Sequence, residues 1–299
     1  NWEIWKTPFI PYKKDLFGDS TAFTKLNLDF IKNENLRLIV SLYQKKESKN
    51  PTSEDEFERL LFSKKYLFQA DEDYLGSLNK LQKKVSDKIL IQKIQLEKAD
   101  YFLPIASKTL HPDFNRKALA VLDSIIEINN RSNAQKLALQ KKRKLLSKSL
   151  TVQLQKYIYD NENTRAFIRY KNVENLKISF YKIDQKQVYI LMLPQNSRDA
   201  TADTIVKNEQ PEITKTYTLE NKKDYFEYST EVLLPNLKTG SYLVCFETEK
   251  DTTGEKATTY ETITATNFTV AVSDKNGIET YQIVDRKNGN PLKNVKVNS

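Results

Sequence analysis

The 299-residue sequence predicts an α+β multidomain chain, with an all-α helical-repeat region followed by an antiparallel β-sandwich. Three observations predict it. Apolar residues recur at helical spacing up to about residue 150, and every second position after it. Helix-start signals precede the periodic segments of the first half. In the second half, turn-rich stretches separate short alternating runs. The length suits two domains of roughly 150 residues each. The expected boundaries are 1–148 for the helical domain, 149–275 for the sandwich and 276–299 for the start of a second, truncated β domain.

In the helical half, Pro51 precedes Ser53, and Ser53 with Glu56 fits a capping box, in which hydroxyl and carboxylate satisfy reciprocal backbone N–H groups. The helix that follows places Phe57, Leu60, Leu61, Leu67 and Phe68 on one face. Leu75 to Phe102 reads as one long helix with Leu78, Leu81, Val85, Ile89 and Leu96 as its stripe. Phe114 to Asn129 follows, lined by Ala118, Leu119, Leu122, Ile125 and Ile126, and Asn129-Asn130 ends it. Ser132 with Gln135 offers a second capping box for a helix reaching about Lys148. Short turns between such helices predict antiparallel pairs.

From Leu150 the period is two. Val152–Tyr159, Ala166–Tyr170, Leu176–Tyr181, Phe226–Leu234, Tyr242–Phe246 and Phe268–Val272 carry it, among about seven strands expected by Val272 in a sandwich of roughly 120 residues. After Ser273, Tyr281–Asp285, an Asn288-Gly289 turn and Leu292–Val297 read as a new unit.

The rare residues restrict the chemistry. No two of the six glycines lie closer than Gly277 and Gly289, so no P-loop or dinucleotide fingerprint exists. The single cysteine, Cys245, rules out an internal disulfide and a cysteine-cluster zinc site. The single histidine, His111, allows at most one His-dependent site. No apolar run approaches the ~20 residues of a membrane span. The only methionine is Met192 and the chain stops within a strand-like run, so a piece of a longer protein is expected.

Charge is uneven. Residues 1–150 hold 28 Lys/Arg against 19 Asp/Glu, whereas 151–299 hold 20 of each. The excess gathers in Arg131, Lys136, Lys141, Lys142, Arg143, Lys144 and Lys148, with no acid between. Nucleic acid or an anionic surface is one reading. Without aromatic interleaving or a nucleic-acid-binding motif, a solvated helix face whose long side chains cover apolar neighbours is favoured.

Other candidates divide the same way. Leu110-His111-Pro112-Asp113 resembles the His-Pro-Asp turn of J-domains, but few bases precede it; Pro112 and Asp113 suit an ordinary helix entry. Glu54, Asp55, Glu56 and Glu58, like Asp71-Glu72-Asp73, suit the first turn of a helix better than a metal site. Tyr157, Tyr159, Phe167, Tyr170, Phe180 and Tyr181 suit core and cross-strand pairs better than a sugar-stacking platform. Trp2 and Trp5 are expected to dock on a neighbouring element. The sequon Asn267-Phe268-Thr269 is discounted because it reads as strand.

Four phrases carry a family resemblance. In Asn163–Asp184, Tyr170-Lys171-Asn172-Val173 ends one strand and Phe180-Tyr181-Lys182-Ile183 ends the next. Leu233–Val244 contains Leu-Pro-Asn-Leu followed by Gly240-Ser241-Tyr242-Leu243-Val244. Phe268–Ser273 reads as a closing strand, and Ile283–Val297 contains Val284-Asp285-Arg286 and Gly289-Asn290-Pro291-Leu292. In this order they resemble the first macroglobulin domain, and the start of the next, in bacterial alpha-2-macroglobulin-like proteins. More loosely, Arg116–Ile126 is similar to the tetratricopeptide-like region preceding those domains in envelope members of the Bacteroidetes type.

The resemblance implies a large, secreted or outer-membrane-anchored lipoprotein-type scaffold of stacked sandwiches with protease-inhibitor, protease-trapping character. Its working parts would be a bait segment and, in some members, a Cys-x-Glu-Gln thioester. Cys245-Phe246-Glu247-Thr248 departs from that motif inside an apolar strand, so a buried inert thiol is expected.

The expected role is therefore a non-catalytic scaffold or interaction fragment at the cell envelope, with protein partners, no nucleic acid, and a membrane anchor only outside these residues. No catalytic, cofactor-binding or metal-binding residue is assigned, and no cofactor. The alternative is an envelope adhesion or assembly module that binds a partner through its helical repeats.

Overall fold

A computed structural model describes residues 12–128, 131–192, 195–251 and 254–296. The chain forms two compact units, Asn1–Leu146 and Ser147–Ser299. Among the described residues, helices build the first unit and antiparallel and mixed sheets dominate the second. Trp2, Trp5, Asn129, Asn130 and Val297 lie outside the described residues.

The first unit runs α1 (Lys13–Leu16), α2 (Ser20–Thr24), α3 (Glu34–Lys49), α4 (Ser53–Tyr66), α5 (Glu72–Lys84), α6 (Lys88–Ile105), α7 (Phe114–Glu127) and α8 (Asn133–Leu146). Short polar side chains start most of them by accepting backbone N–H groups that the first turn leaves unpaired. Asp19, Asn33, Asp71 and Asp87 do so for α2, α3, α5 and α6. The start of α4 differs from the Ser53–Glu56 expectation by one residue. Thr52 holds the extended backbone, accepts from Asp55 N and donates to the Asp55 carboxylate at 2.7 Å, leaving Ser53 inside the helix. Ahead of α8, Ser132 accepts from Gln135 N as expected, but the Gln135 carboxamide accepts from Arg131 N, one residue earlier than a capping box requires.

The expected single helix over Leu75–Phe102 is two helices. Val85 is extended, and the Asp87 carboxylate accepts from Ile89 N and Leu90 N, which restarts the chain as α6. The restart rotates the stripe: Leu90 and Ile94 are buried, whereas Ile89 is exposed. The core joins Leu16, Phe23, Ile31, Phe57, Leu60, Leu67, Tyr74, Leu78, Leu81 and Ile94, and α6 packs on both α7 and α8.

The second unit begins with β1 (Ser149–Leu154), β2 (Tyr157–Ile158), β3 (Arg165–Lys171) and β4 (Asn175–Ile183). Next come α9 (Gln185–Leu191), α10 (Gln195–Asn208), β5 (Ile213–Thr218), β6 (Glu227–Leu233), β7 (Gly240–Thr248) and β8 (Thr258–Ala265). A three-stranded sheet β1-β3-β6 and a five-stranded sheet β2-β8-β7-β4-β5 enclose one core. Val152, Ala166, Ile168 and Val232 meet Ile178, Phe180, Val244, Phe246 and Ile263 there. The run expected as one strand, Val152–Tyr159, divides at Gln155-Lys156. Its first part joins the smaller sheet, and its second pairs with β8 in parallel.

The pair α9–α10, absent from the sequence expectation, covers the other face of the larger sheet. Leu191, Ala202 and Ile205 pack with Tyr181, Ile183, Leu243 and Cys245. Consequently the middle of β4 and most of β7 are buried on both faces; β7 runs apolar from Tyr242 to Phe246, whereas β4 turns continuous only at Phe180-Tyr181.

Phe268–Val272 does not close the sandwich. It lies in β9 (Phe268–Lys275), which pairs along its length with β10 (Ile278–Asp285) as a two-stranded sheet of its own. Beyond it, Gly289 takes a left-handed φ of 74° in the expected turn. Pro291 then bridges to Val284, and Leu292 N donates to Ile283 O.

Candidate functional site

Among the described residues, no group of three His, Cys, Asp or Glu side chains is arranged to hold a metal ion. The residues singled out from sequence fall into separate structural settings.

The acids of α4 separate. Glu54 pairs with Lys93 at 3.0 Å, while Glu58 is exposed. Burial pushes the Asp55 carboxyl up, but Lys46 and the Thr52 hydroxyl outweigh it and hold it below the usual carboxylate range. Glu56 is buried, and burial raises its carboxyl against the opposing charges of Lys84, 3.7 Å away, and Arg59. Asp71 and Asp73 both face Lys13. His111 lies stacked on Phe114, with ring centroids 4.3 Å apart, and its backbone bridges to Ser107. Asp113 precedes α7 without capping it; hydrogen bonding to Lys117 at 2.7 Å lowers its carboxyl.

The basic run is partly neutralised. Lys141 pairs with Asp100, Lys142 with Asp123, and Lys148 with Glu249. Acids distant in sequence thus answer a segment that contains none. The six aromatic residues form no platform. Phe180 and Tyr181 point into opposite layers, Tyr170 pairs across the ladder with Tyr228 (6.5 Å between rings), and Tyr157 is exposed. Cys245 is buried beneath α9 and α10, where burial pushes its thiol up to about 11. Asn267 lies in the link before β9 rather than in a strand, and its amide donates to the Asp160 carboxylate.

Structure brings together residues that the sequence reading left unconnected. A cleft of about 370 Å³ between α10 and β8 is lined by Arg198, Asp199, Asp203, Tyr260 and Glu261. Arg198 donates to Tyr260 O and lies 3.7 Å from Glu261. The Tyr260 hydroxyl donates to Asp203 at 2.5 Å, and burial together with that bond raises its pKa, keeping the phenol protonated. These charges answer one another, and the arrangement offers a polar groove. No local signal marks it, because α10 is itself weakly amphipathic.

Two apolar faces are also uncovered. On α3, Leu38, Ile39 and Leu42 are exposed. On the hairpin, Phe268, Val270 and Val272 share one face with Tyr281, at 46%, 47%, 57% and 60% exposure. Compared with models of known families and with curated proteins, the sequence matches none. No described helix is long and apolar enough to cross a membrane.

Proposed function

We propose that this chain is a non-catalytic scaffold segment of an alpha-2-macroglobulin-like protease trap at the cell envelope, its helical repeats leading into a macroglobulin-type sandwich. The observation that carries this reading is the β9–β10 hairpin. Two strands alone are marginal in water. A hairpin with one apolar face open is therefore a part of something larger, and an exposed patch of this kind marks a binding surface. The placement of three of the four family-like phrases supports the same reading; the fourth, Phe268–Ser273, leaves the sandwich as β9. Asn163–Asp184 covers β3 and β4, Leu233–Val244 covers the approach to and start of β7, and Ile283–Val297 covers the end of β10 and its turn. The role is mechanical: to hold neighbouring domains in register while chemistry occurs elsewhere.

The test uses the full-length gene product mixed with an active protease. Retention of the protease in the high-mass fraction, with activity kept on a small peptide substrate and lost on a large protein, supports the trap. Free protease after mixing, with the gene product uncut, overturns it.

The second reading, an adhesion or assembly module, rests on the exposed stripe Leu38, Ile39 and Leu42 of α3, which suits the apolar face of a partner helix. Leu42→Glu would then abolish partner binding, and protease capture would be absent in both forms.

A further inference from the structure

The β9–β10 hairpin has little apolar attachment to the sandwich. Every residue of β9 is exposed, and the sandwich core contains no buried residue beyond Ala265 among the described ones. Only Thr266 and Asn267 connect β8 to β9. Such a link alone would let the hairpin swing.

Polar contacts at its base oppose this, and they converge on one side chain. The Arg286 guanidinium donates through Nη1 to Ile158 O at 2.9 Å and Thr266 O at 2.8 Å, and through Nη2 to Tyr157 O at 3.2 Å. It lies 4.6 Å from the centre of the Tyr159 ring. Its own backbone closes the contact from both sides: Arg286 N donates to Asn267 O at 2.9 Å, and the Tyr159 hydroxyl donates to Arg286 O at 3.1 Å. The turn that presents it is itself held, because the Asp285 carboxylate accepts from Lys287 N and Asn288 N. Around it, Lys287 pairs with Glu162, and Asn267 with Asp160, which also accepts from Thr239 at 2.7 Å.

We propose that Arg286 is a positioning residue that latches the β9–β10 hairpin to β2 and the residues that follow it, so that one guanidinium sets the direction in which the hairpin leaves the sandwich. The chemistry favours arginine specifically. A planar fork of donors can meet three carbonyls of two segments while its face lies on an aromatic ring. Lysine offers a point charge on a flexible stem and can reproduce neither the fork nor the stacking. The latch does not depend on protease trapping; it is a property of this chain's own geometry.

Paired spin labels at Thr280 and Ser229, in the 299-residue chain carrying Cys245→Ala, read the hairpin-to-sandwich distance. The parent should give one narrow distribution. Arg286→Ala should replace it by a broad one, with faster hydrogen exchange at Thr266 and Arg286 N–H, while the thermal midpoint of the sandwich barely moves. Arg286→Lys should also broaden the distribution, because charge alone does not restore the fork. If Arg286→Ala fails to fold, Arg286→Lys and Tyr159→Phe carry the test, the latter with smaller broadening. A distribution as narrow in Arg286→Ala as in the parent overturns the latch. Full rescue by Arg286→Lys also overturns it, since the hairpin would then be held by charge.

Discussion

Arg59 is the residue whose loss should cost the helical unit most. It is 1% exposed, and its Nε donates to Glu47, itself 2% exposed, at 2.7 Å. Nη1 donates to Leu16 O at 2.5 Å, Nη2 to Gly18 O at 2.9 Å, and the guanidinium lies 4.2 Å from the centre of the Phe23 ring. One side chain of α4 thereby ties α3 to the end of α1 and the residues leading into α2. Arg59→Ala removes the cation but leaves the Glu47 carboxylate buried, with Oε2 already lacking a hydrogen-bond partner among the described residues. Breaking a buried pair from one side costs about 3–5 kcal/mol, because the remaining charge is uncompensated. Urea titration followed by far-ultraviolet ellipticity, with hydrogen exchange over residues 13–60, measures the loss. Removing both charges, Arg59→Met with Glu47→Leu, should cost less than Arg59→Ala alone, since no charge is stranded. A loss under about 1 kcal/mol for Arg59→Ala, or a double variant no better than the single one, would refute the reasoning.

Three further outcomes follow from the packing. Cys245, buried with its thiol at about 11, should react slowly with an alkylating reagent at neutral pH and rapidly once the chain is denatured; fast labelling of the native chain would contradict its placement. Burial pushes Glu249 up, but Lys148 and the N–H groups of Glu174 and Asn175 outweigh it, so its folded pKa lies below the unfolded value. Its contribution is therefore present above about pH 4.3 and lost as pH falls through the folded value. Glu249→Gln should weaken the sandwich at neutral pH, with the gap closing in acid; denaturation curves at several pH values would show a constant gap if the pairing were irrelevant. A Cβ on Gly18 would stand 2.9 Å from Ala22 Cβ and 3.1 Å from Asp15 O, so Gly18→Ala should cost about 1–3 kcal/mol by overpacking. An unchanged thermal midpoint would count against that crowding.

Legibility in the sequence followed how one-sided each element's environment is. The helix Phe114–Glu127 buries one stripe, so Ala118, Leu122 and Ile125 announced it. Strand β3 alternates because one face is wet. Among the described side chains of α10 only Ala202 and Ile205 are buried, so the helix left no stripe to read, and β8 buries only Ile263 and Ala265 among many threonines. The break at Asp87 and the shift from Ser53 to Thr52 were decided by which of several adjacent polar side chains captured the free N–H groups, a choice that local composition leaves open. Arg59 and Arg286 gave no local sign. Their partners lie 12 to 43 residues away for Arg59 and 20 to 129 away for Arg286, so only the folded chain shows what they hold. The basic run of α8 taught the converse, since its answering acids, Asp100 and Asp123, come from α6 and α7.

The most direct test of the scaffold reading is side-chain footprinting of the hairpin with hydroxyl radicals. Phe268, Val270, Val272 and Tyr281 should be modified in the 299-residue chain and strongly protected in the full-length gene product, where neighbouring β structure covers their face. Equal modification in both would mean that nothing packs there, and would contradict a chain built to hold further domains.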